Sequence, residues 1–436
     1  MIHSNESDVY RTLGKKIDNL TVRTPWNETF HSILKELYTT EEADAVVKMP
    51  YTLSSLDRIA RITGIEKTRL QGILEELGKK GLVLDLYRQS DGQFYYMPSP
   101  LLLGMFEFSM MRPGNHHDKK AWARLFHEYF NSFYPANFSH DEQISILRVI
   151  PVEETIRPSE YIEFMDYEKA SSLIDNSHRF ALGLCSCRNE KFHNGEKECD
   201  APLENCSALG IGADYLIKHK LGKEVSKSEM LENFARSKEL GLVFCAENTK
   251  RNPTVICHCC KCCCNYLAGA NKFGFTNSAV TSNFLSTIDE ALCKGCGKCV
   301  DLCPVNATSL VSANDPKNKK KKKAAVDARM CVGCGVCALK CPVDAIEMIN
   351  RGSRVIHPET TFERIILLSL ERGNIQNQIF DNPQSITQKF MRSFIGGFMK
   401  LTPVKKALMS DAFRSTFLST AKVVAKMQGK GWMLDI

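Results

Sequence analysis

The placement of the cysteines constrains this chain more than any other feature. All 19 fall between Cys185 and Cys341 of a 436-residue sequence. Disulfide frameworks belong to small secreted domains, and a chain this long can bury a sufficient core without staples. Met1–Lys16 is polar and lacks the apolar core of a signal peptide. No run of 18 apolar residues suggests a spanning helix. The expectation is a cytoplasmic protein with reduced thiols, whose clustered cysteines are metal ligands or catalytic groups.

Two runs stand out. Cys293-x-x-Cys296-x-x-Cys299-x-x-x-Cys303-Pro304 is followed by Cys331-x-x-Cys334-x-x-Cys337-x-x-x-Cys341-Pro342. This is the C-x₂-C-x₂-C-x₃-C-P spacing that binds [4Fe–4S] clusters. Three thiolates on one loop wrap one face of a cluster. Where two such motifs occur, the fourth thiol ligates the other cluster. One cluster is therefore expected on Cys293, Cys296, Cys299 and Cys341, and a second on Cys331, Cys334, Cys337 and Cys303. Gly295, Gly297, Gly333 and Gly335 free the loops of bulk, so that amides can approach the sulfurs. Zinc takes two separated C-x₂-C pairs and does not suit this spacing. The segment also repeats at an offset of 38, with Ile288-Asp289 matching Val326-Asp327 and Pro304-Val305 matching Pro342-Val343.

Residues 284–350 resemble the bacterial two-cluster ferredoxin domain. The resemblance implies a small pseudo-symmetric α+β fold and low-potential one-electron transfer. The lysine run Lys319–Lys323 between the motifs departs from it, and reads as a solvated loop or a dock for an acidic partner.

The other eleven cysteines are Cys185, Cys187, Cys199, Cys206, Cys245 and the run Cys257-His258-Cys259-Cys260-Lys261-Cys262-Cys263-Cys264. Seven potential ligands in eight residues exceed what packing requires, and so many free thiols would be an oxidation hazard without a metal. A third iron–sulfur cluster is the first reading of Cys185–Cys264, zinc the second and a redox-active thiol pair the third. The candidate ligands are Cys185, Cys187, Cys199 and Cys206 on one side, with Cys257, Cys259 and Cys260 on the other. Arg188 and Lys261 either offset thiolate charge or lie at the surface. The motif order, with Cys185-Ser186-Cys187-Arg188 and Ile256–Cys264 ahead of the two runs, resembles a loosely defined group of long ferredoxin-type proteins of anaerobic microbes. That resemblance strengthens the iron–sulfur reading and supplies no substrate.

The flanks carry no cysteine. In residues 28–100, Ser32–Tyr38, Leu56–Ile62 and Leu70–Leu77 have helical spacing; Leu82–Leu86 and Phe94–Tyr96 flank an Asp91-Gly92 turn. The order of three helices and a hairpin resembles a winged helix, which would place its third helix in a DNA groove. That helix carries Glu66, Glu75 and Glu76 against Lys67, Arg69, Lys79 and Lys80, too even a balance for phosphate binding, and a protein-contact role is preferred. Residues 101–180 read as an aromatic-rich helical connector, with Phe106, Trp122, Phe126, Tyr129, Phe133 and Tyr134 as core. His116, His117 and His127 have no partner spacing for a metal. Residues 355–436 read as a basic helical tail, and from Ile386 onward nine Lys/Arg against two Asp match the net charge of +7 for the whole chain. Such helices pack on their own domain, lie on an anionic membrane or dock on a partner.

The fold expected is multidomain α+β: a winged-helix-like domain (28–100), a helical connector (101–180), a cysteine-rich metal-binding domain (181–275), a two-[4Fe–4S] ferredoxin domain (284–350) and the helical tail. The function expected is an electron carrier, or the iron–sulfur subunit of an anaerobic oxidoreductase, working between redox partner proteins. No nucleotide-binding fingerprint is present. The alternative is a redox-sensing transcription regulator.

Overall fold

The computed structural model describes residues 8–112, 118–132, 144–156, 165–273, 279–316, 318–352 and 355–435. The chain forms two compact units. One comprises residues 1–139, 218–221 and 362–436; the other comprises 140–217 and 222–361. The boundary therefore falls inside the 101–180 segment.

In the first unit, helix Glu28–Leu37 starts where the Asn27 side chain accepts the Phe30 amide at 2.7 Å, four residues before the apolar pattern becomes visible. Helix Thr40–Lys48 and the two-residue strand Ser54–Ser55 are additions to the expected order. The helix is set by a Thr39/Glu42 capping box, while a two-residue strand is too short to show a period. Helices Leu56–Thr63 and Lys67–Lys80 end on the left-handed glycines Gly64 and Gly81. At Gly81 an added Cβ would lie 2.1 Å from Phe108 Cβ, so the position has no room for a side chain. Strand Gln93–Pro98 lies between Ser54–Ser55 and Val83–Arg88 in an antiparallel sheet.

Helix Asp118–Ser132 packs its aromatics into this unit. Phe106 meets Phe126 and Phe130 edge-on at 5.1 and 4.8 Å, and the Tyr129 hydroxyl donates to the Pro25 carbonyl at 2.7 Å. These residues are core of one unit rather than a bridge between domains, and the second part of the expected helical connector contains strand Leu147–Ile150. His116, His117, Phe133 and Tyr134 lie outside the described residues.

The tail helices Ile386–Met399, Thr402–Met409 and Asp411–Met427 belong to the same unit. Phe417 and Ala421 pack with Phe362, Ile366 and Ala425. Buried Asp381 receives two hydrogen bonds from Arg58, at 2.7 and 3.0 Å, and one from Lys430 at 3.0 Å. Trp432 packs against Tyr95 with the rings tilted by 51° and their centroids 4.5 Å apart. No helix among the described residues is long and apolar enough to cross a membrane.

The second unit is built on a seven-stranded sheet in the order Ala279–Val280, Leu147–Ile150, Val243–Glu247, Val255–Cys259, Glu204–Leu209, Phe180–Leu184, Gly222–Val225. Alternation along each strand separates two faces. Ile150, Phe244, Ala246 and Ile256 pack under helices Ala170–Asp175 and Lys227–Glu239. Val149, Val243, Cys245 and Cys259 face the other way, into a core shared with Cys303, Val305, Cys331, Val332, Cys334 and Val336. Cys245 and Cys259 of the sheet and three of the eight cysteines in the downstream motifs thus share one interior.

Residues 284–350 form two antiparallel pairs, Phe284–Ile288 with Ile346–Asn350 and Thr308–Ser312 with Lys322–Val326. The 38-residue offset maps the first strand onto Lys322–Val326, the second onto Ile346–Asn350, and helix Lys298–Leu302 onto Val336–Leu339. Lys322 and Lys323 therefore belong to a strand, and only the first part of the lysine run is loop.

Candidate metal centres

Each motif loop is shaped by two glycines with positive φ: 65° and 80° at Gly295 and Gly297, 69° and 78° at Gly333 and Gly335. An added Cβ would come within 2.1 Å of the Lys322 carbonyl at Gly295, and within 2.2 Å of the Phe284 carbonyl at Gly333. These close approaches require glycine. The fourth cysteine of each run is held identically: the Ala307 amide donates to Cys303 Sγ at 3.1 Å and the Ala345 amide to Cys341 Sγ at 3.3 Å. Such N–H···S bonds are what a cluster-bound thiolate requires.

The fourth thiols cross between loops. Cys293, Cys296, Cys299 and Cys341 line one partly open pocket with Ala324 and Ile346. Burial, and then the charges of Cys293, Cys296 and Cys341, raise the Cys299 thiol. In the other set burial pushes Cys337 up to about 11, opposed by a Ser286 hydrogen bond and reinforced by Cys331 and Cys303. Burial likewise raises Cys334, with Cys337, Cys331 and Cys303 adding to it. Each set offers four thiols, shaped glycine loops and amide donors, so the residues present fit a [4Fe–4S] group. Ser286 Oγ lies 3.2 Å from Cys337 Sγ, and toward a thiolate ligand only the hydroxyl can donate.

The eleven upstream cysteines separate by geometry. An inner group surrounds the sheet. Cys245 and Cys257 are cross-strand partners, and Val243 pairs with Cys259. Cys185 caps helix Ser186–His193, in whose first turn Cys187 lies; Cys264 immediately precedes helix Asn265–Phe273. Helix N-termini favour thiolates. Cys187 and Cys259 both hydrogen-bond to Cys264, which with the Tyr266 and Leu267 amides holds its thiol well below the ordinary value. Burial raises Cys185 to about 12, with Arg188 opposing and Cys257 and Cys264 reinforcing. Cys206 is buried on the neighbouring strand, whose Ser207 pairs with Ile256, so Cys206 points to the Cys257 face.

The outer group is Cys199, Cys260, Cys262 and Cys263, whose sulfurs all lie within 4.8 Å of one another. Cys260 therefore joins Cys199 rather than Cys257 and Cys259. Hydrogen bonding from Cys263, and then the Arg188 charge, outweigh burial and lower the Cys260 thiol to about 5. His258 takes no part. It points to the opposite face of the strand, bonded to Ser207 and Ser237 at 2.8 Å each, and burial pushes its ring down to about 3. Arg188 is completely buried, whereas Lys261 is exposed.

Spacing did not single out Cys245, Cys262, Cys263 or Cys264. Cys264 carried a usable signal as the residue before a helical pattern, but Cys245 depends on strand register. No curated protein and no solved structure matches the chain. A family model described as a 4Fe-4S dicluster domain matches residues 292–345, and with the thiol geometry this makes the segment a ferredoxin-type iron–sulfur domain.

Proposed function

We propose that the chain is a cytoplasmic electron-transfer protein, or the iron–sulfur subunit of an anaerobic oxidoreductase, carrying two [4Fe–4S] clusters and a further centre in the inner cysteine group. The carrying observation is the crosswise grouping of eight cysteines inside a matched dicluster segment. When bound, the clusters supply one-electron redox chemistry. The chain's residues do the rest. Cys296 opens one set to solvent, where a partner can approach. Buried Cys303, Cys331 and Cys334 share a core with Cys245, Cys259 and Cys264, which excludes water between that set and the inner group. Ser286 and the Ala307 and Ala345 amides offset thiolate charge. Anaerobic purification followed by iron and sulfide counting tests the reading. About 12 iron per chain supports three clusters, and about 8 leaves the inner group without one.

Residues 39–98 follow the helix, strand, helix, helix, hairpin order of a winged helix, which we read as a protein-contact module. Its long helix has its cations paired: Lys67 with Asp57 at 2.6 Å, Arg69 with Glu41 at 2.7 Å, Lys80 with Glu42 at 2.6 Å, and Lys79 with Glu76. Little positive charge remains for phosphate. Salt-dependent binding to duplex DNA would restore the regulator reading.

The tail supports docking on an anionic membrane surface. Ile386, Phe390, Phe394 and Phe398 are 86%, 69%, 67% and 57% exposed, and recur every fourth residue along one helix. Lys389 and Lys400 flank them. Sedimentation with anionic but not neutral vesicles, reduced in Phe390→Asp/Phe394→Asp, is the expected result.

A further inference from the structure

We propose that Cys199, Cys260, Cys262 and Cys263 hold a single tetrahedral zinc ion, distinct from the inner group and from the ferredoxin-type sets. The proposal is independent of the electron-transfer reading. Its basis is the distance between sulfurs. Cys199 Sγ lies 3.6 Å from Cys260 and 3.9 Å from Cys263; Cys262 Sγ lies 3.8 Å from Cys260 and 3.3 Å from Cys263. Four thiolates at about 2.3 Å from one zinc stand roughly 3.8 Å apart along the edges of a tetrahedron. A cubane binds its four thiolates to four different irons, so they stand farther apart. The molecule contains its own comparison. Among the described residues, no three cysteines of the ferredoxin-type sets or the inner group draw within 4.8 Å of one another, whereas these four do.

The surroundings fit such an ion. Cys260 and Cys263 are buried against Ala201 and Leu242. Four thiolates on a divalent ion carry net negative charge, which a low-dielectric site must offset. Arg188 is completely buried, and two backbone carbonyls take its Nη1 and Nη2, those of Pro202 at 2.8 Å and His258 at 2.9 Å. Among the described residues its Nε has no hydrogen-bond acceptor. That cation lies beside Cys260, Cys199 and Cys185, at the junction of the two groups.

The ion would tie two segments together. Cys199 follows the helix that begins with Cys185 and Cys187. Cys260, Cys262 and Cys263 form the turn between the strand of Cys257 and the helix after Cys264. Both segments supply inner thiols, so the zinc positions the inner group and takes no part in redox chemistry.

The test is metal analysis of the full chain, expressed with iron and zinc and purified without oxygen. The expected result is about one zinc per chain, lost in Cys199→Ser/Cys262→Ser with the iron count unchanged. Absence of zinc from the wild type, or loss of iron from the variant while zinc remains, overturns the proposal. If the variant does not fold, zinc X-ray absorption of the wild type decides. Four sulfurs at about 2.3 Å support the site, and mixed sulfur, nitrogen and oxygen ligation overturns it.

Discussion

Cys296 is exposed and Cys293, Cys299 and Cys341 are half-buried, whereas Cys303, Cys331, Cys334 and Cys337 are all buried. Yet the two halves of the repeat have matching glycine angles and matching amide bonds to their fourth thiols. The difference comes from what each half meets. The second loop docks on the seven-stranded sheet's side of the unit: the Val152 amide donates to the Cys334 carbonyl at 3.0 Å, and a Cβ on Gly335 would lie 2.5 Å from Thr155 Oγ1. At Gly297 the nearest neighbour of such a Cβ would be Leu310, at 3.4 Å. Local spacing shapes a ligand loop; the neighbouring layer decides whether that loop sees water. Exposure is one of the levers on cluster potential, so duplicated motifs need not give duplicated centres.

The largest contrast should separate Cys334→Ser from Cys296→Ser. Each is expected to release about four iron. Only the Cys334 variant should also lower the melting temperature sharply, since its emptied site would open into the core of Val149, Val152 and Val243. Equal melting temperatures would end the comparison. Next, an oxidant challenge followed by iron release should be biphasic, with about half of the ferredoxin-type iron leaving first from the open set; a single phase would mean that burial gives no protection.

Smaller effects sharpen the same point. Alanine at Gly297 and at Gly335 incurs a similar penalty for positive φ, but Gly335→Ala should lose about 1–3 kcal/mol more through overpacking on Thr155. Denaturant unfolding of the pair measures the difference. Ser286→Ala removes the hydroxyl donor to Cys337. It should lower the potential of the buried set by about 40 mV, the one-electron equivalent of roughly 1 kcal/mol, and leave the open set unchanged. A redox titration followed by EPR resolves the two, and an equal shift in both would assign the hydroxyl a general structural role.

The N-terminal helices show how far a linear pattern reaches. Gly64 and Gly81 mark helix ends that the sequence makes visible, because only glycine adopts their left-handed angles at no cost. Helix Thr40–Lys48 was not legible, since its capping box competes with no strong apolar period. The apolar residues of the tail divide in the structure: Phe417 and Ala421 turn inward, while Phe390 and Phe394 remain exposed. Helical spacing places residues on a face without saying what that face meets.

The two ferredoxin-type ligand loops are legible from local sequence, because spacing, glycines and the terminal Cys-Pro act within a dozen residues. The sequence also indicated that Cys185–Cys264 is too thiol-rich for packing alone. Only the tertiary structure sorted those eleven cysteines. Strand register sets Cys245 against Cys257, alternation turns His258 away from its neighbours, and the turn after Cys259 carries Cys260, Cys262 and Cys263 to Cys199. These placements depend on which strands pair and which helices cover them. Those choices are made by burial over the whole unit, and no local spacing encodes them.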